Sequence, residues 1–295
     1  MITKRSIGEW IFDTCNVLFM IVLVFITAYP IYYVAVCSFS DSNMLLGARG
    51  LILWPMGFNT EAYKAVFGNP NILTGYRTTL IVLVVATTFN IIMTSICAFL
   101  ITRKSFAVKK ITALMATFTM FFGGGMIPTY LVIYQWLNLG DTFWALIIPG
   151  AISTYNMLIM KNNFQSIPDS LEEAAKIDGA NEITILFKII IPLSLPIIAV
   201  MVLYYGVGHW NSWFNAMMYI RSRDKYPLTL ILREILLMND TSGMDVSGAG
   251  EGDRFLIGES IKHATIMVAT VPILCVYPFI QKYFVKGTMA GAVKG

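Results

Sequence analysis

Glu173-Ala174-Ala175-Lys176-Ile177-Asp178-Gly179, followed ten residues on by Ile189-Ile190-Ile191-Pro192, is the stretch from which the chain is best read. It is strongly polar, yet it lies between two long apolar runs. Asp169 and Ser170 follow Pro168 as N-cap residues, and Glu173 stands three after Ser170, at capping-box spacing. Glu172 and Lys176 form an i,i+4 pair of favourable polarity. Gly179 suits the left-handed position that ends a helix. Asn181 then caps a second helix that runs through Ile185 and Phe187 toward Pro192. These signals predict a short helix of two to three turns, a sharp stop, and a second helix entering apolar sequence.

The surrounding composition says what that sequence is. Of 295 residues, 57% are hydrophobic and 13% charged, against about 25% charged in a soluble domain, and the mean hydropathy is +0.68. Six apolar segments can be drawn, at 16–36, 78–101, 111–136, 142–160, 189–214 and 261–284. Each is long enough to cross a hydrocarbon core of about 30 Å. The expectation is an all-α polytopic membrane protein with six transmembrane helices, forming a single transmembrane domain over 1–295. The first segment follows Lys4 and Arg5 but is longer than a signal-peptide core and has no evident cleavage site, so it reads as a retained helix.

Lys and Arg set the orientation. The connection holding Arg103, Lys104, Lys109 and Lys110 has four positive charges and no acid, which places it in the cytoplasm. With it go both termini, a loop at 161–188 and a tail at 285–295. Longer connections at 38–77 and 215–260 face outward. The Gly-rich stretch 241–253, with Asp245, Glu251 and Asp253, lacks EF-hand spacing and reads as a loop rather than a metal site. The net charge of +4 serves topology and gives no support for nucleic-acid binding. Cys15, Cys37, Cys97 and Cys275 sit in or beside apolar segments without CxxC spacing, which supports neither a disulfide framework nor a zinc site.

Glu173-Ala174-Ala175, three residues, Gly179, nine residues, Ile189, one residue, an aliphatic and Pro192 resembles the coupling loop of an ABC-importer permease, with Ile191 in place of the usual Leu. The tail, with Gly287, Ala290, Gly291, Lys294 and Gly295, resembles that of carbohydrate (MalG-like) permeases. Trp54-Pro55 with Phe58 and Tyr63 is similar to the first outside loop of sugar permeases, and Trp210-Asn211 through Ala216 to the end of the fifth span of the oligosaccharide subgroup.

The resemblance implies a type I ABC importer permease fold with a cytoplasmic coupling helix, in a bacterial plasma membrane. It implies a second, homologous permease as heterodimer partner, an ATPase dimer carrying ATP and Mg, an extracytoplasmic sugar-binding protein, and an oligosaccharide or polysaccharide fragment as cargo. Coupling to the ATPase would fall to Glu172, Glu173, Ala174, Ala175, Asp178, Gly179, Ile189 and Pro192, with a second contact through the tail.

Two independent features fit an externally powered, non-catalytic subunit. The chain has no GxxxxGK[ST] phosphate loop. Its mid-segment positions also hold almost no ionisable groups: Asp13 and Lys262 lie near segment ends, and His209 reads as hydrogen-bonded rather than as a proton relay. A proton-coupled carrier lacks its acids here, and a lipid-linked glycosyltransferase lacks a rigid carboxylate cluster. For a sugar path, aromatic faces with amides point to Tyr155, Asn156, Tyr205, Trp210, Asn211 and Asn215. Trp210 and Trp213 read equally as interfacial belt residues. Gly123-Gly124-Gly125 with Pro128 makes the third segment locally helix-poor, by close packing, a hinge, or both.

Overall fold

A computed structural model describes residues 6–48, 50–103, 107–238, 260–276 and 278. Every regular element among these residues is helical. In chain order they are α1 (Ile7–Ser38), α2 (Ser42–Gly47), α3 (Glu61–Gly68), α4 (Pro70–Thr102), α5 (Lys109–Phe121), α6 (Met126–Trp136), α7 (Trp144–Ile147), α8 (Thr154–Phe164), α9 (Asp169–Ile177), α10 (Glu182–Leu193), α11 (Leu195–Trp210), α12 (Phe214–Tyr219), α13 (Leu228–Met238) and α14 (Ser260–Val276). Two compact units emerge: Met1–Pro70 with Ile235–Thr270, and Asn71–Glu234 with Val271–Gly295.

In the first unit, α1 begins nine residues before the apolar run at 16 because Ser6 and Glu9 close a capping box, the Ser6 N–H donating to Glu9 Oε2 at 2.9 Å. It continues through Pro30. Its apolar length is exposed from Ile7 to Ile31, a surface that belongs against lipid or another membrane subunit. Its C-terminal end, at Tyr33, Val36 and Cys37, packs with Ile52. The following loop folds back on that end. Phe39 stacks on Phe58 at 5.8 Å and meets Tyr63 at 4.9 Å. Ser260 at the start of α14 donates to Ser40 O at 2.8 Å. The aromatic loop over 39–63 is therefore a packed cap, with Trp54 left 78% exposed at its tip.

The second unit is built around α4, α8, α10 and α11. Phe99, Met157, Met160, Phe164, Ile185, Ile190, Met201 and Tyr205 form its main core. Among the described residues, the third, fourth and fifth apolar segments are interrupted. The third breaks at residues 122–125, where Gly125 takes φ +83°, and α5 and α6 diverge by 119°. The fifth bends by 87° between α10 and α11, at Ser194 between Pro192 and Pro196. The fourth is not one helix over 142–160. It is α7, a turn at 148–153, and α8, because Pro149 and Gly150 stop the first piece and Ser153 starts the second. By length and composition α1 and α4 can each cross a membrane alone, and the two bent pairs can do so as broken spans.

The broken fourth segment frees backbone carbonyls, and α4 and α11 supply their partners. Asn90, fully buried on α4, donates through Nδ2 to Gly150 O at 2.5 Å and Ala151 O at 3.1 Å. The Tyr205 hydroxyl accepts from the Ser153 N–H at 3.0 Å and is hydrogen-bonded to the Thr94 hydroxyl at 2.7 Å. Non-helical backbone at membrane depth is tolerated where protein satisfies it in this way.

Outside the core, α4 meets α13 closely. A Cβ on Gly75 would stand 3.1 Å from Leu228 Cα and 2.6 Å from Ile231 Cδ1, so any larger residue would force α13 or its side chains to shift. The Leu228 N–H caps onto Thr79 Oγ1 at 2.8 Å.

Candidate functional site

The site is α9. It starts at Asp169 with Pro168 in the N-cap place and no side-chain cap, so the Ser170–Glu173 capping box expected from spacing does not form. Pro168, with φ −58° and ψ 132°, is already extended at the cap, and the Leu171 N–H reaches its carbonyl at 3.2 Å. Asp169 and Glu172 then favour the first turn electrostatically.

The far end forms as the spacing predicts. Asp178 is the C-cap, and Gly179 takes φ +81°. The Ala180 N–H donates to Ala175 O at 2.9 Å, and the Gly179 N–H to Lys176 O at 3.1 Å. Together these bonds are a Schellman motif. Asn181 Oδ1 accepts from the Thr184 N–H at 2.8 Å and caps α10.

Helix geometry sorts the residues onto two faces. Ser170, Glu173, Ala174, Ile177 and Asp178 are exposed and follow i, i+3, i+4, i+7, i+8. Ile177, 86% exposed, is the apolar centre of this outward face. Sequence reasoning passed over it, although its spacing from Glu173 and Ala174 could have found it. Ala175 turns inward and joins the core cluster. Glu172 also turns inward: it pairs with Arg103, their side chains 13% and 12% exposed, and accepts from Lys176 Nζ at 2.9 Å. Lys176 reaches on to Glu182 at 3.0 Å. Burial pulls the Arg103 guanidinium below its ordinary pKa, and the carboxylates of Glu182 and Asp169 oppose that shift, so it stays a cation. Downstream, Ile189 is half-buried and Pro192 is exposed just before the bend.

The tail residues Gly287, Ala290, Gly291, Lys294 and Gly295, and the 241–253 loop, lie outside the described residues.

The residues named for a sugar path separate. Tyr155 is 55% exposed and its neighbour Asn156 is buried at 6%. Tyr205 is consumed by the Ser153 and Thr94 bonds. Trp210 is buried, edge-on to Tyr76 at 6.4 Å. Both line an apolar cavity of 590 Å³, with Leu80, Thr87 and Gly206. Asn211 Nδ2 donates to Val207 O of its own helix at 3.0 Å, and Asn215 is exposed. Trp213 lies under the Arg233 guanidinium at 4.1 Å. Spacing along the chain did not reveal Asn90, whose partners come from 60 residues away.

On a different surface, Asp141 knots two loops. Its carboxylate accepts from the Arg221 and Ser222 N–H groups at 3.0 and 2.9 Å, from the Ser222 hydroxyl at 2.5 Å and from Lys225 Nζ at 3.2 Å. The Ser222 hydroxyl and N–H, ahead of the other donors, hold its pKa well below the ordinary carboxylate range.

Broken apolar helices with an exposed short helix, closed by a Schellman turn, between two of them are the architecture of the membrane permease of a type I ABC importer. The chain belongs to the family described as "Binding-protein-dependent transport system inner membrane component", whose model matches residues 3–290. It is 40% identical over 288 residues to Protein LplC of Bacillus subtilis (strain 168), covering 97% of this chain and 95% of that one. It is 39% identical over 285 residues to the polygalacturonan/rhamnogalacturonan transport system permease protein YtcP of the same organism, covering 97% and 99%. Among solved structures it is similar to a bacterial ABC transporter involved in the import of the acidic polysaccharide alginate, with a TM-score of 0.82, 29% identity, and coverage of 95% of this chain and 99% of that one. As a transporter membrane component, it is not a catalytic enzyme.

Proposed function

We propose that this chain forms half of the path by which an ATP-driven importer takes up an oligosaccharide or polysaccharide fragment, and that α9 is the seat for the ATPase. The outward face of α9 carries this reading. Glu173 and Asp178 offer carboxylates, Ala174 lets a partner approach closely, and Ile177 supplies an apolar anchor at the centre. A second, homologous permease completes the path, an extracytoplasmic binding protein delivers the sugar, and ATP and Mg belong to the partner ATPase. The polysaccharide cargoes in the names of YtcP and of the alginate transporter support the substrate class. The distribution of Lys and Arg along the sequence supports a cytoplasmic side for α9 and both termini, in a bacterial plasma membrane.

The glycine hinge tests the seat. No atom lies within 4 Å of a Cβ built on Gly179, so a side chain there clashes with nothing and strains only the positive φ, at about 1–2 kcal/mol. Gly179→Glu is therefore expected to insert and assemble. It alters the turn beside the docking face, and substrate-stimulated ATP hydrolysis by the reconstituted complex should fall about tenfold, the scale of a lost inter-site coupling. Undiminished stimulation would sink the assignment.

A further inference from the structure

We infer that Arg103 is the residue through which α9 holds the membrane bundle, transmitting its displacement to α4. This rests on the reading of α9 as the ATPase seat. The apolar grip of α9 is small: of its nine residues only Ala175 is fully buried, and Leu171 is 43% exposed. Beside the helix lies an open cleft of 390 Å³, lined by Arg103, Phe164, Asp169, Glu172, Glu173 and Lys176. The side chains around this cleft are mostly polar or charged, so the link from α9 to Arg103 at the end of α4 is ionic.

That connection is well made. Arg103 follows the last residue of α4, and its guanidinium lies over the Phe99 ring at 4.2 Å while Nε donates to Thr102 Oγ1 at 3.1 Å. Both contacts fix the fork that meets Glu172. Because the pair is largely shielded from water, it is stiffer than a surface ion pair, and losing one partner leaves a charge in a poor environment. Lys176 extends the chain of charges from Glu172 to Glu182 on α10. The half-exposed Lys176–Glu182 link is the weaker end.

Displacement of α9 along the membrane surface therefore pulls on Arg103 as well as on the small apolar contact at Ala175. The pull passes into α4, a single continuous helix of 33 residues. Asn90 and Thr94 on that helix hold the broken segment at 150–153 and the partners His209 and Tyr205. Arg103 is a positioning residue in this scheme, since it does not belong to the outward face of α9.

The test uses the full complex of both permeases and the ATPase in proteoliposomes, with substrate-loaded binding protein outside. Arg103→Met keeps the stem over Phe99 and removes the charge. The ATPase should still co-purify and hydrolyse ATP, while sugar taken up per ATP falls about fivefold, within the range known for mutations along a coupling route. Arg103→Lys should recover most of it, and exchanging the charges in Arg103→Glu with Glu172→Arg should restore coupling over either single change.

Full uptake per ATP in Arg103→Met, with Gly179→Glu uncoupled, overturns the tether and leaves the seat standing. If Gly179→Glu is also fully coupled, the seat itself falls. Loss of the ATPase from Arg103→Met overturns the tether in favour of a docking contact. Should Arg103→Met fail to accumulate, the exchanged pair decides. Restored coupling supports the tether, and a double variant as defective as its parents overturns it.

Discussion

Asn90 Oδ1 on α4 lies 2.6 Å from His209 Nε2 on α11, while the amide nitrogen of the same Asn90 donates to Gly150 O and Ala151 O. The two carbonyls can only accept, so they fix which way the amide points. Its oxygen is then the acceptor, and His209 must carry its proton on Nε2. One side chain thereby joins α4, the broken fourth segment and α11. This gives the histidine a structural bond, in keeping with its reading as a hydrogen-bonded group rather than a relay.

Replacing Asn90 with Leu keeps the approximate volume and removes all three bonds. Two carbonyls and an imidazole then lose their partner in a part-buried setting, at up to about 1–3 kcal/mol for each group that water does not reach. The thermal midpoint of the detergent-solubilised complex should fall by several degrees, more than for Asn211→Leu, which removes only a bond to its own helix. Equal midpoints for Asn90→Leu and wild type would remove the knot from the account.

Asp141 gives a prediction with a definite sign in pH. Its folded-state pKa is depressed by Ser222 and the other donors. Ionised Asp141 therefore stabilises the folded chain at pH values above the ordinary carboxylate range. That contribution declines as pH falls through and below that range, toward the folded-state value. Asp141→Asn should lower the thermal midpoint at pH 7. The gap between variant and wild type should narrow as the pH is taken below about 4. A gap independent of pH would show that charge is not what holds residues 221–225 to this loop.

Local chemistry was legible, and distant chemistry was not. Gly179 and Asn181 act within four residues of themselves, so the Schellman turn and the cap on α10 could be read from order alone. Gly123-Gly124-Gly125 likewise announced the break between α5 and α6. Glu172 and Ala175 were grouped with the docking residues because spacing does not say which face a neighbour covers. Arg103, some seventy positions earlier, turns Glu172 inward. Apolar content also cannot distinguish a straight span from a broken one. Pro149 and Gly150 split the fourth segment, and the bend at Ser194 diverts the fifth, without changing the hydropathy of either run.

Tyr155 and Asn156 divide the remaining question about the path, since one is exposed and the other buried. Asn156 sits in the first turn of α8, where its N–H lies 3.5 Å from Ser153 Oγ. Leu at this position matches it in size and sits beside Met157 and Met160, which are already apolar, so assembly should be unaffected. If the amide meets sugar during the transport cycle, Asn156→Leu costs one hydrogen bond of about 0.5–1.5 kcal/mol. The substrate concentration giving half-maximal uptake should then rise between about twofold and tenfold, with ATPase co-purification intact. Tyr155→Ala is the control on the exposed side of the same turn, where loss of an aromatic face should act in the same direction. Uptake kinetics unchanged in Asn156→Leu take it out of the path and leave it as a core amide supporting the turn at Ser153.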